Sequence, residues 1–142
     1  GGNGITGYTE TQLINKPTIV VGRVGEYCGC VHLILDKSWI TDNALYIKNN
    51  LRNFDLSFMY YLMTFSELSK LRSTGGQPLV SQKPINEFVV AMPPIEEQRK
   101  IASILDNYSE NIRILLQKLQ RISFLKQSLS QDLFSGCKRV NI

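Results

Sequence analysis

Pro93-Pro94-Ile95-Glu96-Glu97-Gln98-Arg99-Lys100-Ile101-Ala102-Ser103-Ile104-Leu105-Asp106 begins the stretch that decides the fold, and the stretch runs on to Ser135-Gly136. From Ile101, alternating steps of four and three land on Ile101, Leu105, Tyr108, Ile112, Leu115, Leu119, Ile122, Lys126, Leu129 and Leu133. Nine of these ten are apolar, which marks a heptad seam rather than a general hydrophobic bias. Pro94 suits the first helical position, where its missing N–H costs nothing, and Glu96 and Glu97 complement the helix dipole in the first turn. Gly136 suits the stop. A helix over 95–134 would be about 60 Å long at 1.5 Å per residue. Such a rod cannot bury a seam on itself, so it needs a helical partner. The core helix of a bundle would also carry apolar residues. The 3.5-residue step persists for over four heptads, however, and Gln117, Lys118, Gln120, Arg121 and Gln127 on the flanks favour a coiled coil. Lys126 interrupts the seam; it can snorkel to solvent or meet a carboxylate on the partner, and it would help fix register.

Upstream, the pattern changes to short strands. Thr18-Ile19-Val20-Val21 is β-branched and reads as a buried strand, and 30–35 as a second strand across a hairpin at Glu26-Tyr27-Cys28-Gly29. Residues 44–47 read as a third strand and 88–92 as a last one leading into the prolines. Asn53 or Asp55 can cap a helix over 56–72, where Phe58, Tyr61, Leu62, Phe65, Leu68 and Leu71 follow helical spacing. Ser73-Thr74-Gly75-Gly76-Gln77-Pro78 ends it. The expectation is an α+β chain: a strand-rich body over 1–92, a long coiled-coil helix over 93–136 and a tail at 137–142.

Composition fits a folded body: 43% hydrophobic and 20% charged, with no apolar run near the ~18 residues a membrane span needs. The net charge of +4 is a mild bias toward polyanions. Residues 1–92 carry eight Lys/Arg against seven Asp/Glu and residues 93–142 eight against five, so a nucleic-acid site on the body has to be local. Cys28, Cys30 and Cys137 are an odd count without framework spacing and read as free thiols in a reducing cytoplasm.

Few side chains suggest catalysis. Cys28, Cys30 and His32 alternate and would share a face on one strand, but Cys-x-Cys with a single histidine and no second pair reads as packing, so no metal is expected. No serine lies in a nucleophile-elbow pattern, and Asp42 and Asp55 read as turn and cap residues, so no catalytic residue is assigned. Gly2-Asn3-Gly4-Ile5-Thr6-Gly7 matches the dinucleotide fingerprint in form, but that needs a preceding strand and a following helix; a tight turn is the reading here. Loop cations and amides remain. Arg23 between glycines could approach a phosphate or a guanine edge, and Asn43 and Gln77 carry the two-sided amide that reads adenine. Lys37, Lys48, Arg52 and Lys83 are candidate phosphate contacts, although a loop cation or amide of either kind is, alone, most often a solvated surface residue.

Three pieces, in order, resemble the specificity subunits of type I restriction-modification enzymes. They are the glycine opening 1–8; the run 19–29, continued by Trp39-Ile40-Thr41-Asp42-Asn43-Ala44; and Gln77-Pro78-Leu79-Val80-Ser81 followed by Met92-Pro93-Pro94-Ile95-Glu96-Glu97-Gln98-Arg99-Lys100-Ile101. The resemblance implies a target recognition domain followed by one spacer helix. In that family two such units each read half of a bipartite duplex DNA site, and their spacer helices pair antiparallel to set the separation. Methyltransferase (modification) subunits dock on this frame and carry the S-adenosylmethionine, and restriction subunits complete the complex. The specificity subunit itself is a non-catalytic cytoplasmic protein without a cofactor. Only one unit is present here, and the family's recognition domain has a further strand-rich segment ahead of the glycine loop, so a partial or half-length unit is implied. Two identical copies paired through the helix, as a homodimer, would read inverted identical halves, whereas a second, different unit would make the halves differ. The family's loops vary with target, so the DNA-contact candidates rest on chemistry alone. A coiled-coil adaptor that binds only proteins is the alternative reading.

Overall fold

The computed structural model describes residues 1–48, 53–73 and 75–140. The chain divides into two units, Gly1–Ser103 and Ile104–Ile142. The architecture is α+β: a small antiparallel sheet with helices, then a long C-terminal helix.

Strand β1 (Thr18–Gly22) is the centre of the first unit, flanked by β2 (Val31–Ile34) and β3 (Ala44–Tyr46) in the order β2-β1-β3, all antiparallel. Its continuous β-branched run suits a strand covered on both faces, and all five residues are buried. Thr18 is paired opposite Ile34 and Val21 opposite Val31, while Gly22 faces Ala44 on the other side. The one polar side chain of β1 is satisfied, since Thr18 Oγ1 donates to the Ile47 carbonyl at 2.8 Å. One core cluster joins Ile14, Val20, Ile40 and Ala44, with Ile34 and Tyr46 packed against it.

Helix α1 (Leu56–Phe65) is capped by Asp55, which accepts a 2.9 Å hydrogen bond from Phe58 N, and it packs on β1 and β2. The spacing predicted helix to residue 72, but α1 stops seven residues short. The Thr64 and Ser66 hydroxyls bond back to the Tyr60 and Leu62 carbonyls, Glu67 adopts a left-handed conformation, and Leu68–Leu71 form a 3₁₀ turn. The break resets the phase of the chain so that Leu68 is fully buried. The turn's backbone then lies against Gly29, where a Cβ would collide with the Ser69 amide, so the hairpin needs glycine there.

The expected strand at 88–92 is not formed. Instead a short helix, α2 (Gln82–Glu87), precedes an extended segment in which Val89 is 91% exposed. Phe88-Val89-Val90 has strand-forming side chains but no ladder partner among the described residues, and β propensity expresses itself only against a neighbouring strand. Val80, by contrast, is fully buried: its N–H donates to the Arg23 carbonyl (2.8 Å), Gly25 N–H donates to the Pro78 carbonyl (3.0 Å), and Val24 bridges Leu79. This pairing is the structural content of the Gln77-Pro78-Leu79-Val80-Ser81 piece.

Helix α3 spans Ile95–Phe134, the 95–134 that the heptad spacing predicts. Pro94 lies one position before the helix, where its carbonyl accepts from Gln98 N at 3.0 Å. Gly136 ends the helix with φ +78°, and Lys138 N–H closes onto the Asp132 carbonyl. Among the described residues, no helix is long and apolar enough to cross a membrane.

Candidate functional site

The site candidates sort by which end of β1 they occupy. Backbone pairing collects Arg23 and Asn43 at the Gly22 end: Arg23 N–H donates to the Asn43 carbonyl at 2.9 Å, and the Arg23 carbonyl holds Val80. Gln77 is exposed and adjoins Pro78 in the segment bonded to Gly25, so it belongs to the same end. Lys37 and Lys48 lie at the Thr18 end. Lys37 is exposed in the turn after β2, and Lys48 follows Ile47, whose N–H donates to the Ile19 carbonyl. The two ends are about 13 Å apart along the strand. Lys83 lies on α2 with its ammonium 3.9 Å from Glu87, both exposed. Arg52 lies outside the described residues.

The Gly22 end is built by close backbone approach. Gly2 packs on Gly22: a Cβ on Gly22 would sit 2.5 Å from the Gly2 carbonyl oxygen, and one on Gly2 would sit 2.6 Å from the Asn43 carbonyl oxygen. His32 Nε2 donates to the Gly2 carbonyl at 3.1 Å. The glycine opening is therefore a tight turn clamped over the sheet end. It forms an open depression of about 260 Å³ lined by Gly1, Gly2, Asn3, Thr6, Val24, Thr41 and Asn43. Asn3, Thr6, Thr41 and Asn43 supply donors and acceptors around it. The Arg23 side chain is half-buried, and its Nε is enclosed without a hydrogen-bond partner.

The two cysteines lie outside the strand that holds His32: Cys28 is buried in the turn at 26–29, and Cys30 is exposed just before β2 begins, its carbonyl accepting from Gly22 N–H at 2.8 Å.

Gln98 is the residue whose part the spacing did not reveal. It is 3% exposed, and both faces of its amide are used: Oε1 accepts from Asp55 N at 2.9 Å and Nε2 donates to the Pro93 carbonyl at 2.7 Å. One side chain thus joins the cap of α1 to the start of α3 within the first unit. The signal that marked it was the Pro-Pro-x-x-x-Gln piece itself.

Along α3 the seam is uncovered. Ile101 is half-buried, and every later seam position is exposed: Leu105, Tyr108, Ile112, Leu115, Leu119, Ile122, Lys126, Leu129 and Leu133. Off the seam, Arg113 grips Glu110 through two hydrogen bonds of 2.7 and 2.6 Å. The hydrogen bond, aided by the guanidinium charge, holds the Glu110 carboxyl below its usual range and raises Arg113. The helix fits a coiled coil.

An α+β body with a polar sheet end, followed by a helix with an unpartnered heptad seam, is the class of protein that these elements define. Residues 1–123 match the family described as type I restriction modification DNA specificity domain, and the chain belongs to that family. It is 26% identical over 132 residues to the type I restriction enzyme EcoprrI specificity subunit of Escherichia coli, covering 93% of this chain and 32% of that protein. It is 28% identical over 127 residues to the type I restriction enzyme MjaVIII specificity subunit of Methanocaldococcus jannaschii, covering 87% and 29%. A putative type I restriction enzyme MjaX specificity subunit of the same organism is 27% identical over 135 residues, covering 89% and 32%. The chain spans about a third of the length of these curated relatives.

Proposed function

We propose that this chain is a non-catalytic DNA-reading unit of a type I restriction-modification system. It reads one half of a bipartite duplex target and serves as a dock for a modification subunit, which carries the S-adenosylmethionine; the restriction subunit joins the same complex, in the cytoplasm. The observation that carries the reading is the family match over 1–123, which takes in the body and seven seam positions together. The body contributes candidate contacts of two kinds. Lys37, Lys48 and Lys83 are cations for phosphates, whereas Arg23, Asn43 and Gln77 are hydrogen-bonding groups for base edges. The spacer α3 holds a second unit through its seam, so that the length of helix sets the half-site separation.

Selection from random duplexes, run with the modification subunit present, tests the reading. A short preferred half-site, with affinity falling as salt rises, is the expected result. Recovery of no preferred motif would refute it.

A further inference from the structure

We propose that the body carries an apolar wedge for duplex DNA beyond the Thr18 end of β1. Trp39, backed by Leu13 and Leu35, enters a base step while Lys37 and Lys48 hold phosphates beside it. The inference rests on the DNA-reading function proposed above and adds a mode of contact, the unstacking of a base step, with the side chain that makes it.

The backbone sets these residues together. Thr18 is paired opposite Ile34, and the same register continues past both strands to the bridge between Ile14 and Ser38. Ile14, Ile34 and Ile40 all belong to the core cluster, so their chain neighbours Leu13, Leu35 and Trp39 turn the other way. In that register Leu13 falls opposite Trp39, which makes the two cross-strand neighbours. The three side chains are 48%, 66% and 51% exposed. A single exposed apolar side chain is ordinary, but three on one face form a patch of the kind that marks an interaction surface.

Trp39 also projects from a fixed backbone. On one side Ser38 exchanges both of its backbone bonds with Ile14, at 2.9 and 3.0 Å, and on the other Ile40 is buried. An aromatic ring anchored in this way has little freedom left to lose when it meets a ligand. Charge favours nucleic acid as that ligand. Lys37 is two residues from Trp39, about 7 Å along an extended chain, and Lys48 follows β3 about two strand widths, or 10 Å, from β2. Both are exposed, and among the described residues neither has an ion-pair partner, whereas Lys70 and Lys83 answer Glu67 and Glu87. The acidic neighbour, Asp36, falls opposite Lys16 in the same register, which leaves Lys37 and Lys48 as the positive balance of the patch. An apolar tip between free cations suits a side chain that parts two stacked bases while its neighbours neutralise the phosphates alongside.

Fluorescence of 2-aminopurine, a base that brightens when it loses its stacking, tests the wedge. The probe is placed at successive positions of a duplex carrying the selected half-site, with the full chain and the modification subunit present at concentrations that saturate the duplex. The expected result is brightening at the two bases of one step, abolished by Trp39→Ala and kept by Trp39→Phe. Trp39→Ala should also weaken duplex binding by about tenfold, the worth of one aromatic–base contact. No brightening at any position of a bound duplex, or brightening that Trp39→Ala leaves unchanged, would overturn the wedge and leave DNA reading intact. Because Trp39 is the sole tryptophan, 5-fluorotryptophan incorporated into this chain reports on that position by fluorine NMR. A resonance that moves on adding the modification subunit alone, and no further with duplex, would overturn the wedge by assigning the patch to a protein partner. Failure to bind any duplex would remove the wedge and the DNA-reading function together.

Discussion

Replacing Gln98 with Ala would remove the side chain that bonds both Asp55 N–H and the Pro93 carbonyl. Each bond contributes about 1 kcal/mol net, and leaving a partly buried partner unsatisfied adds to the loss. Asp55 and Pro93 are half-buried, so water recovers part of the deficit, and the expected destabilisation is about 2–3 kcal/mol. Urea unfolding followed through Trp39, the sole tryptophan, reads it. For a body of this size, with a slope near 1 kcal/mol per molar urea, the midpoint should fall by about 2–3 M. Gln98→Glu is the sharper variant, because it keeps the acceptor for Asp55 N–H and loses the donor to Pro93. Burial and the facing carbonyl raise the pKa of the introduced carboxyl above its unfolded value. Its hydrogen bond to Pro93 is therefore present below the unfolded pKa and is lost as pH rises through the folded one, so the deficit should narrow on acidification. Arg99→Ala, on the exposed side of the same turn, should stay within about 0.5 kcal/mol of the parent. A Gln98→Ala midpoint no lower than that of Arg99→Ala would refute the argument.

Gly22→Ala should displace the glycine turn, since its Cβ meets backbone rather than a flexible side chain. The expected cost is about 1–3 kcal/mol, with a shift of the His32 ring signals in NMR as the bond to Gly2 is lost; an unchanged His32 environment would count against the clamp. Lys126→Leu should tighten helix association, because it makes the one charged seam position apolar, as read by sedimentation across a concentration series; an unchanged association would show that the lysine costs the seam nothing. Arg23→Ala should relax sequence preference in the DNA selection, whereas Lys48→Ala should reduce the salt slope by about 1 and leave the motif unchanged. The opposite assignment in those two experiments would exchange the roles of the two ends of β1.

The elements that local pattern alone dictates were legible along the chain. The 3.5-residue step marks α3 from Ile95 to Phe134, β-branched residues mark β1, and Asp55 sits where a cap oxygen is needed. Each depends on side chains within a turn or two of one another, so linear spacing records it. Other features arise where distant segments meet. Phe88-Val89-Val90 has the composition of a strand, but among the described residues no neighbouring strand completes its hydrogen bonds. Helix α1 stops early because burial of Leu68 against Gly29 outweighs the continuing helical spacing. Arg23 and Asn43 share one end of the sheet while Lys37 and Lys48 take the other, a division set by antiparallel pairing and invisible in a list of loop cations. Gln98 is read in sequence as one polar residue of a helical first turn. Only the tertiary structure gives it two partners, one of them 43 residues away, because a buried amide must find a donor and an acceptor wherever the packed chain brings them.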